Sequence, residues 1–499
     1  MAVSDDENTA RHSLPAGWSG VGRGDSHAMS RSFFLGHALS WVVQESHLLL
    51  TIGPALRGDF WRRILRVIVD SHSMLFSPGL RICSRRTSDV LPPEGSSHGV
   101  CFVRNPKVIV LGGYETGLGV ARALGRHGIG VHVLDHLQRH AAKSRFATFS
   151  ICPNPDDEPD RFAETLVEIA QREQEQPVLM ITADEFLLPV AHRRETLARY
   201  VRLNMSAAGL LESIADKYRQ TCLAADCGVS TPVTEKVCGL EDVERVVGTV
   251  PLPAIVKGRR ATEWRRVFGG GIKGVVTETK AELRAALLKM IPRGVALVVQ
   301  EIVPGDATQH FKVSAYTSVS GDVCAAFVLR KLRQHPHGFG FGCVVETVEH
   351  PVLLDLGRDF LRKMGYRGVG SAEYKFDARD RRFKLIEINT RYWQQIALAE
   401  RCGMNFPLLE YNDLRGIADQ PITAYRTGVK WVNIHSDLET FRDLRRVGQL
   451  TLSQWLTSLT GEKCWSDFSV DDPRPGLWAM AQQVRRVHAR LKRMITASW

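Results

Sequence analysis

Two short segments hold the residue types that could do chemistry. Ser371–Phe376 reads SAEYKF and Leu385–Asn389 reads LIEIN, joined by a polar, turn-like Asp377–Arg382 (DARDRR). As strands of a hairpin, they bring Glu373 into the neighbourhood of Glu387 and Asn389. The latter two stand two residues apart and face one way. Two carboxylates and one amide oxygen form a hard-oxygen set suited to Mg²⁺ shared with phosphates. Arg391, two residues on, shares that face where strand geometry persists, and offers a cation to a transferred phosphoryl group. The plain alternative is an E-x-N stretch on an exposed face, paired with a nearby arginine.

Cations for a phosphate chain are present upstream. Lys217 lies in a helical stretch, Leu210–Ala225, and Lys257 ends the apolar run Ala254–Lys257. A basic, glycine-rich loop follows over Gly258–Gly274, with Gly269-Gly270-Gly271 at its centre and Arg259, Arg260, Arg265, Arg266 and Lys273 around it. Glycines let backbone N–H groups approach phosphate oxygens, and cations offset the charge; a solvated basic hairpin accounts for the loop equally well. Arg330 and Arg333 follow another strand and suit a γ-phosphate or a substrate carboxylate, a solvated turn being the alternative. Gly338-Phe339-Gly340-Phe341-Gly342 reads as a mobile segment beside the site. Asp184 and Glu185, at the carboxyl end of Val178–Ile181, either meet a substrate amine or, for Glu185, cap the next helix.

These residues need a scaffold of alternating strands and helices. Val108–Leu111, a helix over Gly119–His127, and Val131–Leu134 make a β-α-β unit. Its glycines run G-G-x-x-x-G-x-G rather than G-x-G-x-x-G, so an NAD site is the lesser reading and a Rossmann-like domain holding another ligand the better one. Strand-rich sequence follows: Ala296–Gln300, Phe311–Thr317, Val323–Leu329 and Phe383–Ile388, with a helix over Glu282–Met290. The expected class is α/β plus α+β. The divisions are an ill-defined extension over 1–104, a Rossmann-like domain over 105–210, a small lobe over 211–300, a large lobe over 301–427 and a C-terminal extension over 428–499. Within the first, Phe60–Phe76 reads as a basic amphipathic helix, for a membrane surface or the body of the protein. Within the last, apolar residues at 477, 480, 484, 487, 491 and 494 mark a basic amphipathic helix. Packing onto the body is its plainer reading; an anionic membrane is the other.

The stretches ADKYRQT, LPAIVKG, VVQEIVPGD and SAEYKFDARDRRFKLIEINTR, in this order over about 107–415, resemble the ATP-grasp superfamily. The resemblance is to its carboxylate–amine ligase branch, near carbamoyl-phosphate-synthase-like members. It implies a preceding Rossmann-like domain and two lobes gripping ATP. Lys217 and Lys257 then match the lysines that contact ATP phosphates, with Lys273 a further contact. Gln300 matches the acceptor for the adenine amino group, although many relatives carry Glu there. Glu301 and Val303 match the hinge whose backbone pairs with the adenine edge. Asp306 is the one candidate for the ribose. Glu373, Glu387 and Asn389 match the Mg²⁺ ligands, with Mn²⁺ an alternative ion. Arg391 matches the arginine that steadies the reacting phosphate; Arg330 and Lys257 are the other expected catalytic residues.

Composition narrows the classes. The chain has 499 residues, 44% hydrophobic and 24% charged, which excludes wholesale disorder and fibrous structure. Its net charge of +11 favours anionic partners without selecting one. The ten cysteines form no C-x-x-C pair, against a zinc or redox motif and in keeping with a reducing cytoplasm. No apolar run is long enough to span a bilayer. The expectation is a cytoplasmic ATP- and Mg²⁺-dependent ligase. It activates a carboxylate as an acyl phosphate and joins it to the amine of an amino acid, peptide or cell-envelope precursor. Nucleic acid is not expected as a partner; membrane contact through the C-terminal helix and a homodimer are left open. The rivals are an ATP-binding protein without ligation and an NAD-dependent oxidoreductase.

Overall fold

The computed structural model describes residues 105–269, 273–417 and 420–496, with side chains described as far as 485. The extension over 1–104, with its expected helix at Phe60–Phe76, lies outside the described residues.

Four strands form a parallel sheet: β1 (Val108–Leu111), β2 (Val131–Asp135), β3 (Ala147–Ile151) and β4 (Val178–Ile181), in the order β3-β2-β1-β4. The runs VIVL and VLMI are almost wholly buried, as strands covered on both faces must be. The crossover helix is Glu115–Gly125, beginning a turn earlier than its apolar spacing indicates. The glycines allow the early start. A Cβ at Gly117 would lie 2.0 Å from the carbonyl oxygen of Gly112, and Gly112 has φ 102°.

The second sheet is antiparallel. It comprises β5 (Thr234–Val237), β6 (Ala254–Gly258), β7 (Val275–Thr277) and β8 (Leu297–Glu301), in the order β5-β8-β6-β7. Val256 and Val299 pack on Val246 and on Leu283 and Leu287 of the Lys280–Met290 helix. The stretch Gly258–Gly274 is not one open loop: Ala261–Phe268 is helical. Trp264, buried, and Phe268 stand one turn apart with ring centroids 4.3 Å apart. That apolar pair anchors a helix inside the basic run.

The third sheet has seven strands: β9 (His310–Thr317), β10 (Val323–His335), β11 (Phe341–Val348), β12 (Gly368–Asp377), β13 (Arg382–Asn389), β14 (Lys430–Val432) and β15 (Lys463–Trp465). Their order is β13-β12-β9-β10-β11-β14-β15. One face presents Val313, Ala315, Val328, Ala372 and Tyr374 to Leu353 and Phe360 of the Pro351–Lys363 helix. The other presents Tyr316, Phe327, Leu329 and Val369 to Trp393 and Phe406, in a core shared with β1 and β2. Towards one end of this second face the apolar side chains give way to Lys312, Lys331, Glu373 and Lys375, alternating along their strands.

The structure refines two expectations. Gly338–Gly342 is a hairpin turn running into β11, with Phe341 and Gly342 paired to His335 and Gln334. The segment after 428 is not an appendage, because β14 and β15 complete the edge of the seven-stranded sheet. The C-terminal helix, Arg474–Thr496, starts by packing back on the body: Ala479 is buried and Trp478 meets His140 edge-on at 5.3 Å. Among the described residues no helix is long and apolar enough to cross a membrane.

The approach to that helix is fixed by a buried charge. Asp472, fully buried, accepts from Arg122 Nε at 3.0 Å, Ser144 Oγ at 2.7 Å and the Arg145 amide at 3.0 Å. Asp472→Ala leaves the Arg122 guanidinium buried without its carboxylate, and should destabilise the fold by about 3–5 kcal/mol. Denaturant unfolding measures this; a change below about 1 kcal/mol would mean the pair does not clamp the segment.

Candidate functional site

Lys217 owes its position to a break in the chain. Leu210–Ala225 reads as one helix, but the structure has two, Ala208–Ala215 and Lys217–Asp226, separated by Asp216. Asp216 is extended (φ −88°, ψ 111°), and its Oδ1 caps the second helix by accepting from the amides of Tyr218 and Arg219. Arg259, just past β6, donates to the same carboxylate at 2.6 Å, and the Lys217 amide donates to the Arg259 carbonyl at 2.9 Å. Lys217 therefore sits in the first turn of its helix, with Nζ 2.9 Å from Glu387 Oε1.

The β12–β13 hairpin sets Glu373 directly opposite Glu387 and Ser371 opposite Asn389. A bulge after Glu373 shifts the register, but the two carboxylates remain neighbours. Each is balanced separately. The charge of Lys217 holds the Glu387 carboxyl below its ordinary range, against burial and the Glu373 charge; in return Glu387 raises Lys217. Burial pushes the Glu373 carboxyl up, but Lys312 at 2.9 Å and Lys331 at 3.1 Å hold it well below the usual carboxylate range. Lys257, on β6, is pushed down to about 7 by burial and by the charge of Lys217, with Glu387 opposing.

The other expected residues divide. Arg391 lies beyond β13 with its guanidinium forked onto Asp184, at 2.5 and 2.9 Å. Asp184 thus holds an arginine, and Glu185 sits in the first turn of the Asp184–His192 helix without capping it. Gln300 is engaged through both ends: Oε1 accepts from Lys257 Nζ at 2.7 Å, and Nε2 donates to Thr234 at 2.9 Å. Its oxygen is not a free acceptor. Glu301 is buried, with its carboxylate on Arg379 at 2.5 Å and its amide on the Val233 carbonyl. Val303 is buried just past the end of β8. Asp306 caps the turn Ala307–Gln309 through Thr308, whose hydroxyl and amide hold its carboxyl down against burial. Lys273 is exposed, next to residues 270–272 outside the described set.

Arg330 is not brought to this cluster. It pairs with Glu346, and its neighbour Lys331 is the residue that reaches Glu373. Adjacent strand residues face opposite sides, so Arg330 points away. Arg333 is spent on a buried fork to Asp437, at 2.6 and 3.0 Å. Lys312 and Lys331 are the site cations that sequence reasoning missed. The signal was available in HFKVSAYT, where Lys312 alternates with Ser314 and Tyr316.

Two carboxylates, an amide and four lysines thus converge from two sheets and the Lys217–Asp226 helix. The lysines outnumber the carboxylates, so the assembly attracts an anion with several oxygens. The Glu387 side chain is 44% exposed and its second oxygen is not taken by Lys217, whereas both oxygens of Glu373 are held by lysines. A hard divalent ion therefore fits at Glu387 and Asn389, and reaches Glu373 only if a lysine releases it.

Comparison with known proteins finds the following similarities. Residues 348–411, which contain Glu373, Glu387, Asn389 and Arg391, match the family "Carbamoyl-phosphate synthase L chain, ATP binding domain". Over 275 residues the chain is 22% identical to D-aspartate ligase of Enterococcus faecium (strain Aus0004), covering 52% of this chain and 65% of that protein. The chain thus spans just under two thirds of the length of that relative. Among solved structures, biotin carboxylase of Campylobacter jejuni is similar with TM-score 0.50 and 15% identity, over 65% of this chain and 74% of that one. N5-carboxyaminoimidazole ribonucleotide synthetase of Thermus thermophilus is similar with TM-score 0.49 and 20% identity, over 65% and 81%. The chain is similar to ATP-grasp carboxylate–amine ligases, and its fold is mixed α/β.

The Glu373 carboxylate separates two ammonium groups in a part-buried site. Glu373→Gln leaves Lys312 and Lys331 without a carboxylate and should cost about 3–5 kcal/mol at neutral pH. A depressed carboxyl stabilises the fold above the ordinary glutamate value near 4.5, and that contribution is lost as pH falls below it. The difference between wild type and Glu373→Gln should therefore shrink on acidification below about 4.5. Chemical denaturation at stepped pH reads it; a difference independent of pH would contradict this account.

Proposed function

We propose that the chain is an ATP- and Mg²⁺-dependent ligase that activates a carboxylate as an acyl phosphate and joins it to an amine. The observation that carries this reading is the meeting of Lys217 and Lys257 with Glu373, Glu387 and Asn389. The two lysines come from before and within the antiparallel sheet, the carboxylates and amide from the seven-stranded one. On this reading 105–210 is a Rossmann-like preceding domain, 211–300 the small lobe and 301–427 the large lobe, with β14 and β15 extending the large lobe's sheet. ATP would lie between the lobes, its adenine edge towards the hinge that contains Glu301 and Val303.

Glu387 and Asn389 would hold Mg²⁺, which would neutralise phosphate oxygens. ATP supplies the phosphoryl group. Lys217 and Lys257 bind the phosphate chain, Lys312 and Lys331 extend the positive field, and Arg391 leaves Asp184 to steady the reacting phosphate. The substrate carboxylate attacks the γ-phosphorus, giving an acyl phosphate and ADP; the amine then attacks the acyl carbon and phosphate leaves. The protein contributes position and charge, which this chemistry needs more than a covalent nucleophile. The substrates are small acids and amines, with the amine borne by an amino acid, peptide or cell-envelope precursor. The eight described cysteines are all free, in keeping with a reducing cytoplasm.

A panel of amino acids and short peptides, scored for ADP release, tests the reaction. The expected result is release that requires both an acid and an amine, reduced by about 10²-fold or more in Glu387→Gln. ATP binding without any stimulating pair would sink the ligase reading.

Lys257 supplies a second test. Phosphates favour its charged form, so binding should draw in a proton above pH 7. Affinity for ATP should fall as pH rises from about 7 towards the ordinary lysine range, by at most about tenfold per unit. Calorimetry in buffers of different ionisation enthalpy measures the proton. Lys257→Met should bind more weakly and lose this pH dependence; an unchanged dependence would remove Lys257 from the phosphate site.

A further inference from the structure

A second cluster of potential ligands lies away from the lysine site, where the parallel sheet meets the C-terminal segment. Glu115 stands in the first turn of the Glu115–Gly125 helix. His140 opens a short 3₁₀ turn, His140–Lys143, held by the Ala141 amide on the Gly113 carbonyl at 2.9 Å. Asp467 follows β15. One nitrogen or oxygen from each of the three side chains lies within 4.8 Å of the others. Ligand atoms about 2.0–2.2 Å from a common ion are separated by somewhat less, a difference that small side-chain rotations close.

The cluster has features of a built site. The Asp467 side chain is 8% exposed, and its Oδ1 has no hydrogen-bond partner among the described residues. That oxygen is aimed at His140 Nε2, 3.6 Å away, too far for a hydrogen bond. His140 Nδ1 is likewise buried without a partner. A buried carboxylate oxygen left bare is costly unless something occupies the space before it. The rest of Asp467 is fixed: Oδ2 accepts from Ser466 Oγ at 2.9 Å, and its carbonyl accepts from Arg122 at 2.8 Å. Trp478 packs edge-on against the His140 ring at 5.3 Å and restricts its rotation. Outer contacts of this kind orient metal ligands.

We propose that Glu115, His140 and Asp467 bind a divalent first-row transition ion that ties the C-terminal segment to the parallel-sheet region. One imidazole and two carboxylates suit Zn²⁺, whereas Mg²⁺ prefers six oxygens and keeps its water. The site is distinct from Glu387 and Asn389, shares no residue with the ligase reading and stands if that reading fails. Its role is structural: two ligands come from the first described sheet's connections, and the third from the far end of the chain.

The test uses the full chain, stripped with chelator and dialysed. Zn²⁺ is titrated by calorimetry, Mg²⁺ serves as the control, and the unfolding midpoint is followed in each. One Zn²⁺ per chain and a higher midpoint with Zn²⁺ but not Mg²⁺ are expected. Glu115→Gln and Asp467→Asn keep side-chain volume and should weaken Zn²⁺ binding by at least the ~10–100-fold that even an outer-shell partner is worth. His140→Ala should abolish the Zn²⁺-dependent rise. A variant that fails to fold is replaced by the other two. Absence of Zn²⁺ binding by the wild type, or binding and midpoint shift unchanged in the folded variants, would overturn the proposal.

Discussion

The ion pair between Lys217 and Glu387 is the joint on which the geometry of the lysine cluster turns. A cation in the first turn of a helix opposes the helix dipole. Here Asp216 at the cap and Glu387 across the gap offset that cost. Through Asp216 the joint reaches Arg259, and through Arg259 it reaches the end of β6, which carries Lys257. A second bond, from the Ile388 amide to Gln220 Oε1 at 2.9 Å, holds the same helix to β13. Strand, helix and the next sheet are thus tied by contacts that place charges as well as stabilise them.

Much of this was legible in the sequence. The strands β1, β4 and β6 announce themselves as apolar runs, and the β12–β13 hairpin as two alternating segments around a turn of Asp and Arg. What was hidden depends on parity and on distance. Val323–Leu329 is the apolar part of β10, but the strand continues to His335, and the face on which each of Arg330, Lys331 and Arg333 lies is fixed only by that continuation. Reading the strand as ended at Leu329 leaves RKLR as a basic turn and gives the site role to the wrong neighbour. Lys312 and Glu373 lie on strands far apart in the chain, and no local pattern records their pairing.

The C-terminal region was hidden for a different reason. β14 and β15 are three residues each, too short for an alternating pattern to stand out. They are strands because β11 presents an edge whose N–H and C=O groups need partners, and Lys430–Val432 supplies them. The break at Asp216 is the intermediate case. A helix-capping residue was present in the sequence, but apolar spacing on both sides of it argued for one continuous helix, and the cap won because Arg259 reinforces it.

Charge balance gives the site its direction. Lys217, Lys257, Lys312 and Lys331 face two glutamates, a surplus of two positive charges. Glu387 answers Lys217, and Glu373 answers both Lys312 and Lys331. Lys257 is left with the neutral oxygen of Gln300, and burial beside Lys217 drives its ammonium towards neutrality. Such a group costs least when an anion lies against it. On the proposed reading, the phosphates of ATP are that anion. The lysines that crowd Glu373 thus leave Glu387 as the carboxylate open to an ion in the unliganded arrangement.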